Sequence, residues 1–263
     1  MSAAAGEARP GAFVAGATGY VGRAVVRQLG ERAGPDARPI AHVRPDSPRL
    51  AAWRATVAGW NAVADATPWD EAAMTATLAR LRPPAVFALL GTTRRRGRVS
   101  GDTYASVDYG LTALLLRAAR RAADATGVVP RFVYLSAVGA SAASGNAYLA
   151  VRGRLEGELA ASGLPYVIAR PSFITGPDRE ESRPAERAAA YAVDAALAPL
   201  RLLGARFSGA RRLADRYRST TADELARALV RAAAAPADGE TADGGTTDRA
   251  LQSRVLEGDA LRD

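Results

Sequence analysis

The sequence contains no cysteine, and this absence removes several kinds of chemistry at once. Disulfides, thiolate metal sites and cysteine nucleophiles are all excluded. Histidine is nearly absent as well, since His42 is its single copy. A histidine-rich metal site is therefore excluded, and no metal site is predicted. A Ser-His-Asp catalytic site can form only if His42 itself serves in it.

Lysine is absent too, so that all 35 basic residues are arginine. With 27 acidic residues, the net charge is +8 and the pI is near 10.5, values that raise the question of nucleic-acid binding. The densest cluster, Arg94-Arg95-Arg96-Gly97-Arg98, is short and has no interleaved aromatic residues. The loss of lysine and the excess of alanine indicate a mutational bias toward GC-rich codons, and no nucleic-acid partner is predicted.

Long apolar runs are missing as well. No run is long enough to cross a bilayer, and Met1–Pro10 lacks the apolar centre of a secretory signal. We therefore expect a soluble cytoplasmic protein with no membrane partner. A chain of 263 residues can bury a full core, and we predict one domain over 1–263, with 171–263 contributing the smaller substrate-binding part.

Apolar residues alternate along the chain between strand-like and helix-like spacing. This alternation predicts a parallel sheet with right-handed crossovers, and hence an α/β, Rossmann-type doubly wound sheet with a small C-terminal elaboration on the substrate side. Thr221-x-x-Glu224 predicts a capping box. The predicted strands are 12–15, 39–43, 61–64, 85–90, 131–135, 165–169 and a short one near 251–256. The predicted helices are 21–29 (ending near 34), 50–57, 70–81, about 104–123, 148–161, about 185–200 and one that starts at 221.

The first predicted strand breaks into the motif Gly16-x-x-Gly19-x-x-Gly22. Glycines at this spacing let a strand turn sharply into a helix and bring backbone N–H groups up to a phosphate. The helix N-terminus adds partial positive charge to the same place. The motif predicts a dinucleotide site, although an ordinary tight turn would use the same glycines.

Ligands of such a sheet lie across the carboxyl ends of its strands. Arg44 follows the second strand, at the position where an NAD-preferring site would carry an acidic residue. A guanidinium there can pair with a 2′-phosphate, which favours NADPH over NADH. Asp65 follows the third strand and either accepts from the adenine amino group or serves as a turn residue. Gly91 follows the fourth strand and lets the backbone pass close to the cofactor.

A second group of polar residues follows the fifth strand. Ser136 lies twelve positions before Tyr148, which opens the next helix, and Arg152 lies four residues further on the same helical face. A tyrosine donates a proton to a carbonyl readily only when its pKa of about 10 is lowered, as a neighbouring cation would do. The alternative is a surface Tyr-Arg pair on an amphipathic helix.

These motifs resemble the short-chain dehydrogenase/reductase superfamily, and more narrowly its atypical NAD(P)H-binding branch that includes the Tat-interacting-protein-like oxidoreductases. The similarity runs from about residue 12 to residue 184. Its motifs are Gly16-x-x-Gly19-x-x-Gly22, Leu90-Gly91-Thr92-Thr93-Arg94, Leu135-Ser136, Tyr148-x-x-x-Arg152, Arg170-Pro171 through Gly176-Pro177, and the segment Asp178-Arg179-Glu180-Glu181-Ser182-Arg183-Pro184.

The resemblance implies a Rossmann fold and a role for each matching residue. Arg44 would bind the adenosine phosphate, Ser136 would orient the substrate carbonyl, and Tyr148 would exchange the proton. Pro171 and Ser172 would flank the nicotinamide. The residues implied around the pyrophosphate are Gly16, Thr18, Gly19, Tyr20 and Val21.

Arg152 departs from the superfamily, which has lysine at this position to hold the nicotinamide ribose and assist the tyrosine. Arginine keeps the charge but is bulkier, planar and always protonated. Either the arginine works in place of lysine, or the protein binds NADPH without turnover.

The first alternative predicts an NADPH-dependent oxidoreductase that acts on a small carbonyl compound. The second predicts a cofactor-bound regulatory or interaction protein. A third interpretation, an epimerase or dehydratase with tightly held NAD, is disfavoured by Arg44. The identity of the substrate and the oligomeric state stay open.

Overall fold

A computed structural model describes residues 11–91, 104–175, 218–234 and 253–262. Its main sheet has seven strands, all parallel, in the order β3-β2-β1-β4-β5-β6-β9. This order confirms the predicted doubly wound Rossmann-type fold. The strands are β1 Phe13–Ala15, β2 Ile40–His42, β3 Val63–Asp65, β4 Ala85–Ala88, β5 Arg131–Leu135, β6 Tyr166–Ala169, β7 Ile174–Thr175, β8 Thr220–Thr221 and β9 Arg254–Leu256.

Helices cover both faces of the sheet. They are α1 Tyr20–Arg32, α2 Leu50–Gly59, α3 Glu71–Leu81, α4 Thr112–Thr126, α5 Ala147–Ala161 and α6 Ala222–Ala234, with a π-helical segment Tyr104–Leu111 before α4 and a short 3-10 turn Gly258–Leu261. One apolar cluster packs α1 and α6 on one face, and a second packs α3, α4 and α5 on the other. Alternate residues of a strand enter opposite clusters, as Phe132 and Val133 of β5 do.

Local side chains fix several helix starts. The Asp70 carboxylate accepts from the Ala73 N–H at the start of α3. At α6 the Glu224 carboxylate accepts from the Thr221 N–H, and the Thr221 hydroxyl accepts from the Glu224 N–H, which confirms the capping box. These caps position α6 against α1, where Gln28 donates to the Asp223 carbonyl.

The structure differs from the predicted elements mainly at their ends. The fourth strand stops at Ala88 rather than at residue 90, and the third starts at Val63 because Asn61 has a left-handed φ of 53°. The predicted helix from about 104 is π-helical as far as Leu111. The two-residue parallel pair of β7 and β8 was not predicted. The predicted helix near 185–200 lies outside the described residues.

Candidate functional site: a dinucleotide cleft at the carboxyl edge

The glycine motif makes the turn between β1 and α1. Gly16 has a φ of +84°, and a Cβ at this position would lie 2.5 Å from the Leu89 carbonyl oxygen. A Cβ at Gly22 would lie 2.0 Å from the Gly16 carbonyl oxygen. Gly19 donates its N–H to the same oxygen at 2.9 Å and is the N-cap of α1. Within the described residues no side chain caps α1, so its first N–H groups suit an anion.

A cavity of about 360 Å³ lies beside this turn, at the carboxyl ends of β1, β2 and β4. It brings together five residues that the sequence assigned to cofactor binding: Gly16, Thr18, Gly19, Arg44 and Gly91. The sequence reasoning missed several further residues of its wall. They are His42, Pro45, Asp46, Pro68, Trp69, Leu89, Leu90, Val107 and Leu111.

Two aromatic side chains form one wall of the cavity. His42 is 3% exposed, and the edge of its ring meets the Trp69 ring with centroids 4.7 Å apart. Its Nε2 lies 2.8 Å from the Thr67 carbonyl oxygen, so this nitrogen carries the proton. Burial lowers the pKa of His42, and the Thr67 carbonyl and the Asp65 carboxylate oppose that shift. The neutral ring therefore suits a flat apolar ligand such as a purine.

Arg44 is exposed at the rim of the cavity, and Asp46 lies on the same loop. Asp65, by contrast, stabilises a turn, which is the alternative role that the sequence predicted for it. Its carboxylate accepts from the Thr67 N–H and from the Thr67 hydroxyl, each at 3.0 Å. The described lining of the cavity does not include Asp65, and its adenine-binding role stays a prediction.

The remaining predicted cofactor residues make contacts to the protein itself. The Tyr20 hydroxyl donates to the Thr175 carbonyl at 3.1 Å, and Val21 packs in the core beneath α1. The Pro171 carbonyl accepts from the Val138 N–H. The Ser172 hydroxyl donates to the Arg218 carbonyl at 2.6 Å. These contacts place Tyr20 and Ser172 beside the second sheet of β7 and β8.

Arg152 is a buried charged group, only 4% exposed. Its guanidinium donates to the Leu135 carbonyl and, at 3.3 Å, to the Leu90 carbonyl. It pairs at 2.6 Å with the carboxylate of Asp108, a residue of the π-helical segment. Burial alone would lower the pKa of Arg152, but the neighbouring tyrosine rings and Asp108 outweigh it and raise the pKa. The group is therefore a permanent cation.

Two tyrosine rings flank this guanidinium. Its carbon lies 5.0 Å from the centroid of Tyr148 and 5.6 Å from that of Tyr134. Tyr148 is the second residue of α5 and lies two positions after the N-cap Asn146, whose side chain accepts from the Tyr148 and Leu149 N–H groups. The structure thus brings Arg152 against the ring of Tyr148, as a cation–π contact. The predicted convergence of the Tyr148 hydroxyl and the guanidinium on one ligand stays a prediction.

Ser136 does not join that pair. Its hydroxyl donates to Glu156, a buried residue one helical turn beyond Arg152. Glu156 also pairs with Arg170, which in turn pairs with Glu257 at 2.8 Å. The hydrogen bond to Glu156 raises the pKa of Arg170. Ser136 can orient a substrate carbonyl only by leaving Glu156, so the geometry counts against its predicted role, which stays a prediction.

Asp108 and Glu156 are the charged groups of this site that the sequence reasoning missed. Asp108 lies between Val107 and Tyr109 in an apolar helical stretch, and an acid at such a position is a signal for a buried partner. Glu156 continues the spacing of Tyr148 and Arg152 by four residues.

Other kinds of site receive no support from the described parts of the chain. No group of three or more His, Cys, Asp or Glu residues in those parts is arranged to hold a metal ion. None of the helices described is both long enough and apolar enough to span a membrane.

Comparison with known proteins identifies the family. The model of a family described as NAD(P)H-binding matches residues 16–194. The mitochondrial protein fmp52 of Aspergillus fumigatus is 33% identical over 86% of this chain and 87% of its own length. The protein of that name from Aspergillus clavatus is 34% identical over 67% of this chain and 71% of its own.

Solved structures share the fold. A short-chain dehydrogenase/reductase family oxidoreductase from Burkholderia thailandensis has a TM-score of 0.54 and 18% identity, with 86% of each chain covered. The UDP-glucose 4-epimerase of Brucella ovis, in complex with NAD, has a TM-score of 0.55 and 18% identity, covering 85% of this chain and 72% of that one.

These comparisons correct one expectation and confirm another. The expected cytoplasmic location is wrong, because the curated relatives are named as mitochondrial proteins. The predicted resemblance is confirmed by the family model and by the shared fold. The chain belongs to the family described as NAD(P)H-binding.

Proposed function

We propose that the protein is an NADPH-dependent oxidoreductase that reduces a small carbonyl compound, with Tyr148 as the proton donor. One observation carries the proposal: the cavity extends from the glycine turn to Gly91, and the guanidinium of Arg152 lies next to Gly91. A Cβ at Gly91 would lie 3.5 Å from an Arg152 nitrogen. The Arg152 guanidinium therefore lies against the Gly91 end of the cavity, and the Tyr148 ring lies next to that guanidinium, although neither residue belongs to the described lining.

The residues of the cleft fit a dinucleotide. The Gly16 and Gly19 backbone and the uncapped start of α1 suit a pyrophosphate, and the His42–Trp69 wall suits a purine. When bound, the cofactor would supply a hydride to the substrate carbon. Tyr148 would donate a proton to the carbonyl oxygen, and the permanent charge of Arg152 would favour the tyrosinate that this transfer leaves.

The preference for NADPH rests on the rim of the cavity. Arg44 can bind a 2′-phosphate bidentately. Asp46 on the same loop would instead accept from the free ribose hydroxyl of NADH. We propose that Arg44 prevails, because a guanidinium can contact the 2′-phosphate directly through two hydrogen bonds. The Asp46 carboxylate would repel the phosphate without contact, and water at the exposed rim screens such a repulsion.

Thermal melts test cofactor binding and preference together. At about 100 times its dissociation constant a ligand adds roughly 2.7 kcal/mol to stability. We expect NADPH to raise the melting temperature of the wild type more than NADH does. Arg44→Gln should remove this difference, and the matched rim variant Asp46→Asn should preserve or widen it. A larger rise with NADH than with NADPH in the wild type would contradict the preference and support the NAD-dependent epimerase or dehydratase.

Turnover is tested separately with a panel of small aldehydes and ketones, followed by NADPH absorbance. Tyr148→Phe should abolish consumption while the NADPH-induced melting shift is kept. Tyr166→Phe, on β6, is the control tyrosine variant and should keep both. Unchanged consumption in Tyr148→Phe would remove Tyr148 from the reaction.

A second function, a cofactor-bound regulatory or interaction protein, is favoured by the contacts of Arg152. Its charge is matched by Asp108 and its donors are directed at the Leu135 and Leu90 carbonyls. An arginine with these contacts can stabilise the fold without taking part in catalysis. Binding of NADPH with no consumption across the carbonyl panel would support this function.

A further inference from the structure

The five N–H groups of the Arg152 guanidinium are largely committed to the protein. One terminal nitrogen donates to the Leu135 carbonyl at the end of β5. The other donates to the Leu90 carbonyl beyond β4 and to the Asp108 carboxylate. The Nε atom is buried and has no hydrogen-bond partner within the part of the chain that the structure describes. The guanidinium thus joins the carboxyl ends of β4 and β5 to the π-helical segment.

Asp108 is the group that makes this arrangement possible. Its side chain is fully buried, and a carboxylate in such a place is stable only when it is paired. A π-helical turn widens the helix and shifts the residues that it carries, and such turns occur often at functional sites. Here the turn brings Asp108 to the Arg152 terminal nitrogen at 2.6 Å.

The pair lies directly against the cofactor cavity. Gly91 lines the cavity, and a Cβ built there would be 3.5 Å from the Arg152 nitrogen and 3.8 Å from the Asp108 oxygen. Val107 and Leu111, the neighbours of Asp108 on the same segment, line the cavity as well. The adenosine side, with His42 and Arg44, is formed by different elements.

We infer that Asp108 is a positioning residue: through Arg152 it holds the part of the cleft that takes the nicotinamide half of the dinucleotide. This inference rests on the proposed function. Without the carboxylate, the two carbonyls still accept from Arg152, but its buried charge lacks a counter-ion. A long side chain in that state moves toward water, and the cavity lies beside the guanidinium at Gly91.

The inference predicts a loss confined to one half of the cofactor. Calorimetric titration compares NADPH with adenosine 2′,5′-bisphosphate, a fragment that has the adenosine half with its 2′-phosphate and lacks both the nicotinamide and the ribose that carries it. Asp108→Asn keeps the shape and one acceptor oxygen but removes the charge. We expect it to weaken NADPH binding about tenfold and to leave binding of the fragment unchanged.

Two further variants keep the comparison decisive. Asp124→Asn is the matched control, because Asp124 lies on α4 and forms an exposed pair with Arg120. It should bind both ligands as the wild type does. If Asp108→Asn does not fold, Asp108→Glu replaces it. That variant keeps the charge but displaces the guanidinium by one methylene, and we expect the same selective loss.

The remaining outcomes separate the two proposals. Equal weakening of both ligands, or no weakening of either, would show that Asp108 has only a structural role and would overturn the inference alone. A wild-type protein that binds neither NADPH nor the fragment would overturn the proposed function together with the inference.

Discussion

The two ends of the cleft are built in different ways. The pyrophosphate end consists of backbone from one short stretch, Gly16 to Gly22. Its glycines are required because a Cβ at Gly16 or Gly22 would collide with a backbone carbonyl oxygen. The other end consists of charged side chains from separate elements, with Asp108 and Arg152 44 residues apart. The first end is determined by local sequence and sterics, whereas the second exists only once the sheet and helices have packed.

The two ends also depend on different energies. At the glycine turn, a single added carbon meets backbone that cannot move without shifting β4 or α1. At the charged end, the desolvation of two buried ions must be offset by their attraction and by the carbonyls around them. Removal of one partner should therefore cost more than removal of both.

The largest expected effect on stability tests whether removing one member of the buried ion pair costs more than removing both. Arg152→Met should lower the free energy of unfolding by about 3–5 kcal/mol, because the fully buried Asp108 carboxylate loses the guanidinium that it pairs with at 2.6 Å. The double variant Arg152→Met, Asp108→Leu should recover most of this loss. Urea denaturation measures both.

Arg154→Met is the control for this comparison, because Arg154 lies on the same helix with a side chain 65% exposed and paired with Glu158. It should change stability by less than about 1 kcal/mol. A double variant that is less stable than Arg152→Met would contradict the account of a paired, mutually dependent charge.

The next effect concerns the glycine end. Gly22→Ala should lower stability by about 1–3 kcal/mol, because its Cβ would lie 2.0 Å from the Gly16 carbonyl oxygen. It should also abolish the NADPH-induced melting shift, since the Gly16 turn must move. Urea denaturation and thermal melts with NADPH measure the two losses.

Gly157→Ala provides the opposite case within the same protein. Gly157 is exposed on α5, and a Cβ there meets no atom within 4 Å. This variant should gain about 0.5–1 kcal/mol from helix propensity and keep the melting shift. Loss of stability in Gly157→Ala, or none in Gly22→Ala, would refute the steric argument.

The same contrast explains what the sequence could predict. Continuous apolar runs such as Ala85–Ala88 indicate strands buried on both faces, and their alternation with helices predicts a parallel, doubly wound sheet. The glycine spacing and the position of Arg44 after β2 follow from local sequence. All these features depend on residues that are close together along the chain.

The features that were missed depend on distant partners. Asp108 and Glu156 gain their significance from Arg152 and from Arg170, and no spacing rule links those pairs. The π-helical turn has no propensity signature of its own. Ser136 was placed correctly at the end of β5, but the direction of its hydroxyl depends on the buried Glu156.

The smallest expected effect on stability concerns His42, at the adenosine end. Only one proton is involved, and the Thr67 carbonyl and the Asp65 carboxylate partly offset the effect of burial on the pKa of the ring. Burial lowers its pKa, so the unfolded chain binds the proton first as pH falls through the unfolded value of about 6.5. Stability should be full above that value and decline below it. His42 is the only histidine, so His42→Gln should flatten the dependence of urea-unfolding free energy over about pH 5.5–7.5. An unchanged slope in His42→Gln would show that other groups cause it and that the cavity wall tolerates a charged ring.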